Sequence, residues 1–527
     1  MTVGPPAASP AKVLVQVDAG ALARWTLWLV QALERRAGTQ VCVRVVERGG
    51  HDGSSALATL LALERMVLRR NGASGADRID RGELGGARVE PADFKPNVVI
   101  DLTDEGQGAA PSRAVCLRPL YDGHAGETAL ASALFFRGTP EISIERIMPG
   151  DDAGGVIVSG TASLEAAAGI GGGIDAVGSR VIMLVVKALS AVAEDFPLRS
   201  VPVIDGREIG NRDAFIRSAK NVARAAARTA YQLCCHGSHW RVGWRFVETG
   251  HDVWTRRDLS GPRWNVLRDP VDHFYADPFP LSWQGRDYLF FEDLDYRTNK
   301  GVIAAVAFDD AGIPGPTVPV LEESWHLSYP FLIERGGEVF MIPESSAHRD
   351  IVIYRAVEFP LKWERHAVLV DHVEAADATI VEHDGLLWMF AVVRDGIGGY
   401  SDTLAIWSAS DLFGPWQPHR QNPVLVDDRT ARPAGNFIRR NGALYRPAQN
   451  CRHVYGGALG FMKVTRLDRE GFAQESEGEI SGGRFWPGKR LHTLNYNGRL
   501  EAIDGFTLRP KSKFLADIVD RWNQPKA

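Results

Sequence analysis

The chain has 527 residues, 45% of them hydrophobic and 24% charged, which is the composition of a folded globular protein too long for one ordinary core. Its formal net charge of −5 leaves Lys and Arg outnumbered by Asp and Glu. No global field therefore draws it to nucleic acid or anionic lipid, and any anion site must be local. The five cysteines, Cys42, Cys116, Cys234, Cys235 and Cys451, form no CxxC pair and show no zinc spacing, and the N-terminus has no apolar signal region. The expectation is a cytoplasmic protein with no metal, no cofactor and no transmembrane segment.

Residues 1–11 are a Pro/Ala-rich tail. KVLVQVD (Lys12–Asp18) reads as a buried strand, Leu22 to Arg36 as a helix, QVCVRVVER as a second strand, and NVVIDLTD (Asn97–Asp104) as a third that ends in polar residues. Strand, helix, strand in this order predicts an α/β domain over residues 12–200. It would be built on a parallel sheet with helices on both faces and bind ligands at the strand C-termini.

The segments ALFFRGTPEISIERI, GGVIVSGTASLE and MLVVKALSAVAE resemble the formyltransferase fold used on methionyl-tRNA and on nucleotide sugars. That resemblance implies an Asn-x-His motif and a later Asp, and no Asn-x-His occurs here. His124 in YDGHAGE and His51 in GGHDG are the nearest candidates, and both read more simply as solvated loop residues. The run GIGGGID (Gly169–Asp175) lacks a phosphate-loop lysine and GxGxxG spacing after a strand, and reads as a flexible turn.

Residues 201–236 read as a helical linker, because Asn211 to Cys235 is Ala-rich and opens on cap residues. Arg217, Lys220, Arg224 and Arg228 form one basic stripe on it. The stripe is either the solvated face of a connecting helix or, through residues 211–235, a peripheral contact with an anionic membrane or an acidic partner.

From residue 237 to 510 the sequence repeats. WQGRDYLFFED, ERGGEVFMIPES, EHDGLLWMFAV, RRNGALYRPAQ and NYNGRLEAIDG each carry a tight-turn glycine (Gly285, Gly337, Gly385, Gly442, Gly498) followed by an apolar strand. A recurrence about every 50 residues with further strands between is the signature of propeller blades. Five repeats predict an all-β five-bladed propeller, with Trp240–Glu248 completing the last blade. Residues 511–527 are a C-terminal tail.

The segments preceding the turns should line the channel. They read YADPF, HLSYPF, EAADATI, RPAGNFI and RLHTLNY, and all five carry a charged or imidazole group where a purely structural core would be apolar.

YADPF, Asp377 two blades later, and SASDLFGPW resemble the five-bladed glycosidases of family 43. The resemblance implies a base or nucleophile at Asp277 and a substrate-orienting role for Asp377, while the blade-four Glu of that family is replaced by RPAGNF. Over residues 239–508, ADPF, WHLSYPF, MIPES, YRAVEFPLKW and RPAQNCRHVYG resemble the N-terminal region of the plant glucosamine inositolphosphorylceramide transferase family, whose separate transferase domain has no counterpart here.

Glycosyl chemistry needs a carboxylic acid to protonate the leaving oxygen and a carboxylate to activate water or attack the sugar. Asp277 and Asp377 are the candidates above, Glu344 in MIPES is the candidate acid, and Glu292 in FFED is its substitute. Arg432, Arg446, His453 and Tyr455 could bind an anionic group, with His326, Tyr329 and His492 in the same cavity; the alternative is that the arginines tie blades together. The expected partner is a carbohydrate, sugar phosphate or glycolipid, and the leading function is glycoside hydrolysis or glycosyl transfer. The alternatives are a non-catalytic glycan-binding or assembly protein and a sugar N-formyltransferase.

Overall fold

A computed structural model describes residues 11–47, 55–68, 72–85, 88–91, 93–104, 114–151, 154–192, 202–394, 398–486 and 488–525. The chain forms two compact units, Met1–Arg228 with Gly396–Gly399, and Thr229–Asp395 with Tyr400–Ala527. His51 lies outside the described residues.

The first unit is built on a seven-stranded sheet made of β1 (Lys12–Asp18), β2 (Gln40–Val46), β3 (Val98–Asp101), β4 (Val115–Tyr121), β5 (His124–Ala125), β6 (Glu141–Ile147) and β7 (Gly155–Thr161). The order is β2-β1-β3-β4-β6-β7, with β5 paired to β4. The first four strands are parallel, as the sequence predicts, but β6 runs antiparallel to β4 and β7 antiparallel to β6. The sheet is thus mixed rather than parallel. β6 ends at Ile147 and β7 begins at Gly155, too few residues apart for the crossover that a parallel neighbour requires, and the two strands pair antiparallel. His124 sits in β5, paired back on Tyr121.

GIGGGID is not a turn. It is the start of a 22-residue helix, Gly169–Ser190, which packs against the helices Arg24–Glu34 and Gly126–Phe136 and against the sheet. The glycines serve close approach: a Cβ on Gly173 would lie 2.9 Å from Leu134 Cδ2. The buried Glu64 carboxylate accepts the Ile170 N–H at 2.6 Å at the head of this helix and is raised by burial. By length and composition the helix could cross a membrane, but most of it is buried within the unit.

The linker helix spans Asn211–Cys234. Of its basic stripe, Arg217 donates to the Phe135 carbonyl, while Lys220, Arg224 and Arg228 are exposed.

The second unit holds five antiparallel sheets of four or five strands. The innermost strands of blades one to five are His273–Trp283, Ser328–Arg335, Ala375–His383, Ile438–Arg440 and Leu494–Tyr496. All five turn glycines have positive φ, and in blades one to four the preceding residue (Gln284, Gly336, Asp384, Asn441) does too, which is the backbone of a type I′ hairpin. Blade five takes its third strand from Trp240–Phe246, which pairs with Leu500–Phe506 and closes the ring. Arg245 seals this seam, donating to Glu501 at 2.8 Å and to the carbonyls of Leu259, Ser260 and Pro262. Residues Lys513–Trp522, within the expected tail, form a helix.

Candidate functional site

The inner strands of blades one to three carry the same irregularity at the same place. Pairing slips between Ala276 and Phe279, between Ser328 and Phe331, and between Ala376 and Thr379. Within each slip one residue is left-handed: Asp277 at φ 49°, Tyr329 at φ 44° and Asp377 at φ 58°. A bulge of this kind re-aims a side chain, and a non-glycine residue held there costs about 1–3 kcal/mol, so its surroundings must fix it.

They do so with hydrogen bonds. The Tyr329 hydroxyl lies 2.9 Å from Thr379 Oγ1 and accepts the Gly435 N–H at 2.7 Å. Asp377 accepts from Arg432 Nε at 2.6 Å and from Gln449 Nε2 at 3.2 Å. Asp277 donates its backbone N–H to Asp504 at 3.1 Å, and its carboxylate accepts the Thr493 hydroxyl at 2.5 Å.

The residue facing each bulge from the second strand is Glu292 in blade one, Glu344 in blade two and Val392 in blade three, opposite Ala276, Ser328 and Ala376. The two glutamates differ in surroundings. Glu344 accepts the hydroxyls of Ser328 at 3.1 Å and Ser346 at 3.0 Å and lies 3.9 Å from the Arg432 guanidinium. Glu292 is 5% exposed and lies 3.3 Å from His326 Nε2. His326 Nδ1 accepts the Gly301 N–H at 3.0 Å, so in the neutral ring the proton is on Nε2, facing Glu292. Burial holds the Glu292 carboxyl well above the ordinary range, and the charges of Asp277, Glu344 and Asp504 push it further up.

On the blade-five side, His492 bridges two carboxylates, with Nδ1 2.7 Å from Asp504 and Nε2 3.2 Å from Asp277. Trp240 packs on the imidazole with ring centroids 4.0 Å apart, and Tyr455 lies 5.2 Å away. Tyr455 also accepts from Arg432 at 3.3 Å. Burial opposes protonation of His492, but Asp504 and Asp277 outweigh it and raise its pKa. Burial raises Asp277, with His492 opposing and Asp504 adding. It raises Asp377 as well, even against Arg432.

Among the described residues, Asp277, His492 and Asp504 have ligand atoms close enough for a metal ion, as do Asp272, His273 and Asp295. His492 turns both nitrogens to carboxylates, Nδ1 to Asp504 and Nε2 to Asp277. Asp295 is engaged by Arg297 at 2.9 Å.

Asp277, Asp377, Glu344, Glu292, Tyr329, Arg432, Tyr455 and His492 therefore interact within one cluster, with His326 at its edge. His453 is exposed. Arg446 is engaged elsewhere: its guanidinium donates to Gln474 Oε1 at 2.8 Å and to the carbonyls of Thr430 and Ala431, tying the strands of blade four. Sequence reasoning did not single out Asp504, Thr493, Gln449 or Trp240. Counting along the repeat would have found two of them, because the seventh residue after the turn glycine is Glu292, Glu344, Val392 and Gln449 in blades one to four, and Asp504 is the sixth in blade five.

Residues 268–502 match a family model described as glucosamine inositolphosphorylceramide transferase 1, N-terminal. Glucosamine inositolphosphorylceramide transferase 1 of Oryza sativa subsp. japonica is 34% identical over 233 residues, which cover 42% of this chain and 31% of that protein. The Arabidopsis thaliana protein of the same name is 34% identical over 229 residues, covering 42% and 30%. The chain thus spans about a third of the length of these relatives. Among solved structures, the family 117 glycoside hydrolase Zg3597 of Zobellia galactanivorans aligns with a TM-score of 0.33 at 12% identity, over 53% of this chain and 92% of its own. RS223-β-xylosidase aligns with a TM-score of 0.32 at 11% identity, over 46% and 94%. The propeller of this chain, over residues 268–502, is therefore similar in sequence to the N-terminal region of the glucosamine inositolphosphorylceramide transferases.

Proposed function

We propose that the propeller holds a sugar, sugar phosphate or glycolipid head group at the Asp277–Asp377 cluster and cleaves or transfers a glycosidic bond there. The observation that carries this reading is Glu292, a buried carboxyl facing the Asp277 bulge across the blade-one strand pair, whose proton affinity burial raises and the charges of Asp277, Glu344 and Asp504 raise further. A carboxyl of raised proton affinity near a second carboxylate is what acid and base catalysis of glycosyl chemistry uses.

In this mechanism Glu292 protonates the leaving oxygen. Asp277 either takes a proton from the incoming water or alcohol or attacks the anomeric carbon, and His492 shares the resulting charge. Asp377, fixed by Arg432 and Gln449, orients the sugar. Glu344, engaged by two hydroxyls and close to Arg432, is better placed to bind a sugar hydroxyl than to give up a proton. Arg432 offers its remaining donor capacity to an anionic substituent such as the phosphate of an inositol phosphate head group.

The rival reading, a non-catalytic glycan-binding protein, draws on the hydrogen bonds that already hold one oxygen of each carboxylate, Asp277 Oδ1 by Thr493 and Asp377 Oδ2 by Arg432 and Gln449. The two readings part on one experiment, in which the full chain is incubated with aryl glycosides and with glucosaminyl inositol phosphate and released sugar is followed alongside binding calorimetry. Turnover that Asp277→Asn abolishes supports the enzyme; binding with no turnover of any substrate supports the binding module.

A further inference from the structure

The helix Lys513–Trp522 turns its apolar side outward. Phe514 is 72% exposed, Leu515 49%, Ile518 36% and Trp522 84%, while Ala516 alone is buried. At 3.6 residues per turn Phe514, Ile518 and Trp522 fall on one stripe with Leu515 beside it, and Lys513, Asp517 and Arg521 form the adjacent row. Lys513 and Arg521 are exposed, whereas Asp520 is turned to Arg509 at 2.7 Å. Leu233, 72% exposed, stands next to Cys234, whose carbonyl accepts the Lys511 N–H at 2.9 Å just before the helix.

The helix is fastened to the propeller close to the acidic cluster. Arg241 donates to the Asn523 carbonyl at 2.6 Å, and Asn523 Nδ2 donates to Thr507 at 2.7 Å. Arg241 follows Trp240, which packs on His492, and Thr507 follows Phe506, which packs on Trp240 with centroids 5.9 Å apart.

We propose that this helix docks the propeller on an anionic lipid surface. The stripe is too small for a second copy of the chain: aromatic side chains offer roughly 150–250 Å² each, so four partly exposed apolar residues give on the order of 500 Å², whereas a stable dimer buries about 800 Å² per partner. It suits an interface with lipid, where aromatic rings at both ends of a short apolar stripe enter the headgroup region and flanking Lys and Arg meet negative headgroups. Docking does not depend on the sugar chemistry. Its consequence, that a glycolipid head group is offered beside the cluster from the membrane side, rests on the function proposed above.

The test is co-sedimentation of the full chain with vesicles of phosphatidylcholine and phosphatidylserine (7:3) and with phosphatidylcholine alone. The expected result is binding to the anionic vesicles that falls at least about tenfold in Phe514→Asp/Trp522→Asp, since each ring buries apolar area equivalent to more than a factor of ten, and falls more weakly in Lys513→Glu/Arg521→Glu. Both pairs are exposed, so circular dichroism should show unchanged folding, with Trp522→Ala as a milder check. No binding to either vesicle, binding unchanged in the aromatic variant, or a wild-type dimer that the aromatic variant dissociates would each overturn the proposal. Calorimetry with a soluble sugar, unaffected by these substitutions, keeps failure of docking apart from failure of the channel chemistry.

Discussion

Glu292 and Glu344 occupy the same register position in adjacent blades, each facing the residue that precedes a left-handed bulge, yet one is enclosed by carboxylates and the other is held by two hydroxyls near Arg432. Equivalent positions in a repeat thus carry unlike chemistry. Glu292→Gln should reduce turnover by about 10²–10⁴-fold, the usual cost of losing a general acid, while Glu344→Gln should mainly raise KM. Steady-state kinetics on both variants decides it: equal losses in kcat would return the acid role to Glu344.

Arg432 reaches Asp377, Tyr455 and the Tyr400 carbonyl, so its removal strands a buried carboxylate as well as an anion site. Arg432→Ala should weaken binding of a sugar phosphate more than of the neutral sugar, and lower the melting temperature because the Asp377 charge loses its partner. Arg432→Lys, which restores charge without the planar fork, should recover stability better than affinity. Calorimetry with both ligands, paired with thermal melts, measures the two effects.

The raised pKa of Glu292 has a stability consequence with a definite sign. In the unfolded chain a glutamate ionises near pH 4.3, whereas the folded protein keeps this proton to higher pH. Between the two values the folded state binds the extra proton, so raising the pH favours unfolding. Wild type should lose stability relative to Glu292→Gln as pH climbs from about 5 upward, by at most about 1.4 kcal/mol per pH unit. Urea titrations of both proteins at pH 5, 7 and 9 test this, and parallel pH curves would show that Glu292 is ionised in the fold.

The first unit lacks Asn-x-His, and its expected catalytic histidine has no substitute in His124, which lies in a two-residue strand paired back on Tyr121. The full chain should bind 10-formyltetrahydrofolate more weakly than micromolar. Micromolar affinity with formylation of an amino sugar would restore formyl transfer as a function of this chain.

The blades were legible because a positive-φ hairpin turn demands glycine, and Gly285, Gly337, Gly385, Gly442 and Gly498 announce it five times. Asp277 and Asp377 were legible as charges standing in otherwise apolar inner strands. The bulges were not, since Asp277 and Tyr329 adopt left-handed backbone through tertiary hydrogen bonds from Thr493, Asp504, Thr379 and Gly435 that no local pattern encodes. GIGGGID misled for a related reason. Local propensity favours a turn, but packing against Leu134 needs small residues in a helix.

Arg245 and Glu501, which hold the seam of blade five, are 256 residues apart in sequence. At translation rates of about 5–20 residues per second, the strand Trp240–Phe246 leaves the ribosome roughly 13–50 s before Leu500–Phe506 exists. Throughout that interval one edge of an apolar strand has no partner, and an unpaired edge recruits other chains. The seam also fixes where the gene can be cut: a fragment beginning at residue 268, where the match to the family model starts, would leave blade five without its third strand and should aggregate on expression.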